Sequence, residues 1–474
     1  MSFRHSYRDQ LPGCYQRLLP TPLAEPQLVV LNQSLLAALG LPGGEAEWTR
    51  WGSGHELPAG ADPLAQVYSG HQFGQWAGQL GDGRGLLLGE WADAQGQHWD
   101  LHLKGAGQTP YSRFGDGRSV LRSAIREFLA SEALHALNIP TSRALAVVSS
   151  SEAVRREQLE PGATLLRVAA SHIRFGHFEH FSHRGEHPQL QRLLDYCLEH
   201  HFAEQAQEAD SGAAFFAEVC RRTGRLIAAW QAYGFAHGVM NTDNMSILGI
   251  SVDFGPYAFL DAYNPGLICN HSDSSGRYAF NRQPSIGLWN LQCLGVALAP
   301  LIGTDAVREG LAAYEPALLA EYRERMRQRL GLASWQAGDG ELLSALLGLL
   351  ASEQADYAQS LQRLVSVDVD GGSLWADHFI DRQRAREWLV RYRERIAGED
   401  SAARAQQLQR ANPWRLLRNY LAELAIRAAY QGDFGEVRRL FAALSEPFSD
   451  CPQWAAYSEP PPEWGRQLVI SCSS

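Results

Sequence analysis

Apolar and polar residues alternate through Trp99-Asp100-Leu101-His102-Leu103-Lys104, the period of two that predicts a strand with one apolar face. Two more strand-like runs, Gln75 to Leu80 and Leu86 to Trp91, flank Gly81-Asp82-Gly83-Arg84-Gly85. Together they predict a hairpin with a glycine-rich tip. Ala163 to Leu166 predicts a further strand, carrying Arg167 near its end. From about Ser119 to Leu137 the period changes, and Leu121, Ile125, Phe128, Leu129 and Ala136 recur at helical spacing. Beyond about residue 175 the pattern is mainly helical, broken at His237 to Asn244 and from Val252 to Gln283, where Asn264-Pro265-Gly266 marks a turn. Helical patterns resume near Ile286 and run to about Leu444, with a polar break near Gln336 to Gly340. The tail from Ser445 is rich in proline and lacks periodicity. The pattern predicts an α+β chain with a strand-rich part at 1–175, a helical part at 176–444 and an irregular tail at 445–474, without internal repeats.

The break at His237-Gly238-Val239-Met240-Asn241-Thr242-Asp243-Asn244, followed by Asp253-Phe254-Gly255, reads like a protein-kinase catalytic loop running into a DFG turn. His237 and Asn244 keep the H-R-D-x-x-x-x-N offset, and Asn244 and Asp253 stand where kinases hold magnesium. The slot for the base holds Val239, which cannot accept a proton. Upstream, Lys104 is the only lysine in the chain, every other basic residue counted with it being arginine. A compact ammonium is therefore specifically wanted at that strand end. Glu127 and Glu132 both lie on the helix that follows, and periodicity does not choose between them as its partner. Glycine tip, strand-borne lysine, helix-borne glutamate, catalytic loop and DFG turn occur in the order of a bilobal protein-kinase-like fold, with a strand-rich N-lobe and a helical C-lobe.

Composition narrows the function classes. A formal net charge of -10 argues against nucleic acid as partner. The hydrophobic fraction of 45% fills a sizeable core, no uninterrupted apolar span of membrane length is evident, and the N-terminus lacks a secretory core. Seven dispersed cysteines without a CxxC pair indicate a reducing compartment. A cytoplasmic enzyme with no membrane association is expected. His177, His180 and His183 recur every third residue, a spacing that drifts around a helix, and are read as structural rather than metal-binding.

Longer runs make the chain recognisable. Pro63 to Gly74 (PLAQVYSGHQFG), Leu103 to Arg113 (LKGAGQTPYSR), Arg174 to Phe181 (RFGHFEHF), Phe235 to Met245 (FAHGVMNTDNM) and the Ser471 to Ser474 tail are similar to the selenoprotein O family. The resemblance covers essentially the whole chain. It implies a kinase-like fold that binds ATP in a flipped orientation, and transfer of AMP to Ser, Thr or Tyr hydroxyls of protein substrates with pyrophosphate leaving. By the same resemblance Lys104 holds phosphate with Glu127 as its helix partner. Gly81, Gly83, Arg84, Asp116, Gly117, Arg167 and Arg174 are nucleotide-binding positions. Asn244 and Asp253 hold Mg2+ or Mn2+, and Asp243 accepts the proton. Cys472 occupies the place of the family's C-terminal selenocysteine, and an intramolecular Cys269–Cys472 disulfide would tether the tail beside the site. Two alternatives stand beside AMP transfer: a protein or small-molecule kinase with Asp243 replacing the lost base, and a non-catalytic ATP-binding pseudokinase. Retention of Lys104, Asn244 and Asp253 speaks against the second, because binding alone needs no full metal site.

Overall fold

The computed structural model describes residues 3–470. Among them a nine-stranded sheet is built from β1 (Phe3–Arg4), β2 (Tyr15–Arg17), β3 (Gln27–Leu31), β4 (Leu64–Gln66), β5 (Gly85–Ala92), β6 (His98–Lys104), β7 (Ser119–Val120), β8 (Arg143–Arg155) and β9 (Leu159–Ala169). The order along the sheet is β2-β4-β5-β6-β9-β8-β3, with β1 added to β5 and β7 to β9, and every pairing is antiparallel.

The alternation of side chains explains why these strands are so apolar. Leu86, Leu88, Leu101, Leu103 and Leu166 point into an outer core with Leu35, Leu39 and Trp48, from the short helices Gln33–Leu39 and Glu45–Gly52. Their neighbours Leu87 and Leu165 face the main core, where helix α1 (Leu121–Ala136) packs. Both faces of the sheet are thus covered. One row breaks the apolar rule: Asp100, His102 and Lys104 share a face of β6, and Arg167 of β9 lies directly across from His102.

After β9 the described chain is mainly helical. Helix α2 (Phe175–His183), the long helix α3 (Ser211–Tyr233) and helix α4 (Gln283–Ile302) share the main core with α1. The stretch at 237–255 emerges where Phe235–Ala236 pairs with Ala258–Phe259, so a two-stranded clasp closes the loop.

The structure corrects two expectations and adds one feature that periodicity left open. The runs either side of Gly81–Gly85 do not pair with each other. Gln75–Gln79 folds back on Ser69–Gln72 as a separate hairpin, while β5 joins the main sheet, so residues 81–85 connect two sheets. Helix α1 has no polar face: Ser123 to Leu134 is buried throughout, because the sheet covers one side and the helical part the other. One segment, Phe280–Ile302, is by length and composition apolar enough to span a membrane, where none was expected. Ile286, Leu291, Leu294 and Leu298 from it sit in the main core. In the tail, short helical turns at Pro452–Ser458 and Glu463–Arg466 lead to Ile470, whose carbonyl accepts from the backbone N–H of His271 at 2.9 Å.

Candidate active site

A cleft of about 650 Å³ lies between the sheet and the helical part. Gly81, Gly83, Arg84, Lys104, Asp116, Gly117, Arg167, Arg174, Asp243, Asn244 and Asp253 all line it, and Glu127 stands behind Lys104. The glycines answer to close packing of two loops. A Cβ on Gly83 would meet the Tyr111 carbonyl at 2.9 Å, and one on Gly117, where φ is +73°, would meet the Gly107 carbonyl carbon at 2.1 Å. Asp116 accepts from the Arg118 backbone N–H at 2.9 Å and pairs with Arg156 at 2.6 Å, which closes the second loop.

A chain of ion pairs crosses the floor. Lys104 Nζ donates to Glu127 Oε2 at 2.5 Å, and the other carboxylate oxygen of Glu127 takes Arg167 Nε. Arg167 Nη2 reaches Asp253 Oδ1 at 2.6 Å. Arg174 Nη1 donates to Asp253 Oδ2 and, at 2.7 Å, to the backbone carbonyl of Asp243. Glu132 is committed elsewhere, to Arg143 at 2.6 Å. Glu127 is 1% exposed. Burial alone would push its pKa up, yet Arg167 and Lys104 outweigh burial and hold it below the ordinary value. Lys104 is pushed down by burial, with Glu127 opposing and Arg167 and Arg84 adding to the shift. Arg167 and Arg174, expected as nucleotide-binding positions, both grip the Asp253 carboxylate. A guanidinium has five N–H donors, so holding Asp253 orients both arginines without using them up.

The loop itself is locked by His237. Its Nε2 donates to the Val252 carbonyl at 2.8 Å, and its Nδ1 faces the Val239 N–H at 3.4 Å. Gly238 adopts φ +78°, and a Cβ there would meet Cys269 Sγ at 2.6 Å and the Pro256 carbonyl at 2.7 Å, so only glycine fits. Asp253 also sits in the left-handed region, at φ +57°, a conformation Asp tolerates better than most residues. Val239 lines the cleft in the place of the kinase base. Asn244 Nδ2 donates to the Val239 carbonyl at 3.0 Å. Its amide oxygen and the Asp253 carboxylate form an all-oxygen donor set that suits a hard divalent cation.

Asp243 is buried beside them. Its Oδ2 accepts from Gln72 Nε2 at 3.2 Å, and its Oδ1 has no hydrogen-bond partner among the described residues. Burial raises its pKa to about 6, against the lowering effect of Arg174 and Gln72. Sequence reasoning missed several supports of this site. Gln72, Thr242 and Glu179 carry no motif signal of their own, although each lies in a stretch similar to the selenoprotein O family. Asp82, taken only as a turn residue, is buried, accepts from the Gln66 N–H at 3.0 Å and faces His102 Nε2 at 3.3 Å.

A buried lysine–glutamate pair, arginines converging on one aspartate and an oxygen-donor pair on a kinase-like loop describe a site for group transfer from a phosphorylated substrate. The family described as protein adenylyltransferase SelO matches residues 1–445. The protein nucleotidyltransferase YdiU of Klebsiella pneumoniae (strain 342) is 52% identical over 481 aligned positions, covering 100% of both chains. Proteins of the same name from Salmonella paratyphi B and Salmonella typhi are also 52% identical over 481 positions, with 100% of both chains covered. The chain belongs to the SelO family of nucleotidyltransferases.

Proposed function

We propose that this chain is a protein adenylyltransferase, moving AMP from ATP to Ser, Thr or Tyr hydroxyls, on a bilobal kinase-like fold whose lobes are the sheet-bearing and helical parts. One observation carries the reading. Asp243, whose buried carboxylate has one oxygen unpartnered among the described residues, lines the same cleft as Lys104, Arg167, Arg174, Asn244 and Asp253. In this reading the acceptor oxygen bonds to the α-phosphorus, the bond from that phosphorus to the bridging oxygen breaks, and pyrophosphate leaves. Asp243 Oδ1 takes the hydroxyl proton. Asn244 and Asp253 would hold Mg2+ or Mn2+, which supplies charge neutralisation on the phosphates. Lys104, Arg84, Arg167 and Arg174 stabilise the growing negative charge, an effect that for arginine reaches roughly 10³–10⁵ in rate. Loss of the usual base is tolerable beside that, since a general base contributes ~10²–10⁴.

The test is incubation with divalent metal, a protein substrate mixture and ATP labelled at the α or the γ phosphate, with intact mass as second readout. Label from the α position with an AMP-sized mass gain, lost in Asp253→Asn, supports the reading. Label from the γ position makes the protein a kinase. No label despite ATP binding leaves a nucleotide-binding scaffold.

The raised pKa of Asp243 sets a pH dependence. A base works only when deprotonated, so kcat/KM, which reports the free enzyme, is expected to fall as pH drops through about 6. A profile flat from pH 5 to 8, with fold retained, would remove Asp243 as the base.

We also propose the Cys269–Cys472 disulfide as a redox tether and a cytoplasmic setting in which it is ordinarily reduced. Cys472 lies outside the described residues. What supports the tether is that Ile470, two residues before it, is held by His271, two residues after Cys269. Cys269 Sγ in turn packs against Gly238 of the catalytic loop. A non-reducing peptide map under oxidant should yield the linked pair, and its absence at every oxidant level would exclude it.

A further inference from the structure

His71, Glu179 and Cys293 come from three separate elements: the hairpin at 69–79, helix α2 and helix α4. Their ligating atoms, an imidazole nitrogen, a carboxylate oxygen and Sγ, all lie within 4.8 Å of one another. His71 Nδ1 and Glu179 Oε1 are 3.3 Å apart. The two atoms are within hydrogen-bond reach, though the distance is beyond the usual ~2.7–3.2 Å. It matches the edge of roughly 3.3 Å between two ligands of a tetrahedral ion with bonds of about 2.0–2.1 Å. The three residues line a cavity of about 440 Å³ that also touches Ser182, His183 and Gln292 and is separate from the nucleotide cleft. The cavity leaves room for water as a fourth ligand. With Glu179 ionised and Cys293 a thiolate, the site carries two negative charges, which balance a divalent ion.

We propose that His71, Glu179 and Cys293 form a second metal site, selective for a borderline-soft divalent ion such as Zn2+ over the hard ion of the nucleotide cleft. Nitrogen and thiolate ligands favour zinc-like ions over magnesium. Loading forms the bond to Cys293 Sγ and displaces the thiol proton to buffer. The histidines at 177, 180 and 183 play no part as ligands: His177 Nδ1 accepts from the Arg174 N–H, His180 contacts Ser69 and His183 stacks on Trp76.

The site is placed to set the catalytic loop. Glu179 Oε2 accepts from Thr242 Oγ1 at 2.8 Å, and Thr242 Oγ1 accepts from the His71 backbone N–H at 2.7 Å. Thr242 precedes Asp243, so an ion held here would fasten hairpin, α2 and α4 beneath the loop without entering the cleft. These residues are positioning residues, and the inference does not depend on which phosphate is transferred.

The experiment is titration of the full chain, free of nucleotide, with Zn2+ alone in competition with a chromophoric chelator, and with Co2+ followed by absorbance. One equivalent of Zn2+ is expected in wild type and in Asp253→Asn. Cys293→Ser is expected to weaken it at least about 100-fold. Co2+ should give a thiolate-to-cobalt charge-transfer band that Cys293→Ser abolishes and Glu179→Gln, which retains the thiol and an acceptor for Thr242, weakens. Three results would each overturn the proposal: no thiolate band in wild type, Zn2+ affinity unchanged in Cys293→Ser, or binding lost in Asp253→Asn but kept in Cys293→Ser.

Discussion

Asp253→Asn is expected to lower the rate of α-phosphate label transfer about 10³-fold or more, with the folded state retained. Three charge interactions meet at this carboxylate: Arg167 at 2.6 Å, Arg174, and the cation that Asn244 would help to hold. Asparagine keeps the size and tolerates the left-handed backbone at φ +57°, so the change isolates the charge. Alanine would add backbone strain to the same loss. A bound metal contributes several kcal/mol of transition-state stabilisation, and each 1.36 kcal/mol is tenfold in rate, from which the 10³ follows. Glu127 continues to hold Arg167, but Arg174 keeps only the Asp243 carbonyl, so the urea midpoint should fall while the protein stays folded in the absence of denaturant. The measurement is initial rate of label incorporation at saturating metal, beside ATP binding by calorimetry. A rate within tenfold of wild type would take Asp253 out of metal binding and leave it only as an arginine holder.

How much of this site was legible in the sequence depends on the range of the interaction. Lys104 stood out because it ends an alternating strand and is the only lysine, both local facts. Glu127 and Glu132 could not be separated, because a helical wheel distinguishes residues only when one face meets water, and α1 is buried on every side from Ser123 to Leu134. Reach decides instead: Lys104 ends at Glu127, while β8 brings Arg143 to Glu132. The order of loop and DFG turn was readable from spacing, yet the grip of Arg167 and Arg174 on Asp253 was not. Those pairs join β9 and the start of α2 to a loop about eighty residues further on, and no local pattern encodes them. The Gly81–Gly85 tip misled for a different reason. A glycine turn between two strand-like runs favours a hairpin, but 75–79 pairs with the still nearer 69–72, while β5 pairs with β6. That alternative pairing is what brings Gln72 to Asp243. The apolar segment 280–302 is similar: no charge interrupts it from Gln283 to Thr304, because one side of α4 must pack in the main core.

Glu127→Gln should destabilise the protein by about 3 kcal/mol and cut transfer activity together. Removing one partner of a buried ion pair costs about 3–5 kcal/mol, since the other charge stays buried without compensation. Glu127 compensates two cations, Lys104 and Arg167, both buried. Three factors hold the cost near the lower end: Gln retains an acceptor, Arg167 keeps Asp253, and Lys104, whose pKa burial has already lowered, can shed its proton. That last relief is what harms activity, because a neutral lysine no longer attracts phosphate. The folded-state pKa of Glu127 is depressed from 4.5 to about 2. Its contribution is therefore fully present above 4.5 and drains away as pH falls towards 2. The difference in urea midpoint between wild type and Glu127→Gln should accordingly be largest at neutral pH and shrink below 4.5. If the two proteins unfold at the same urea concentration at pH 7, the Lys104–Glu127–Arg167 chain is not what fixes the floor of the cleft. A stability loss with transfer unchanged would instead leave Lys104 charged by other neighbours, among which Arg84 and Arg167 act in the opposite sense.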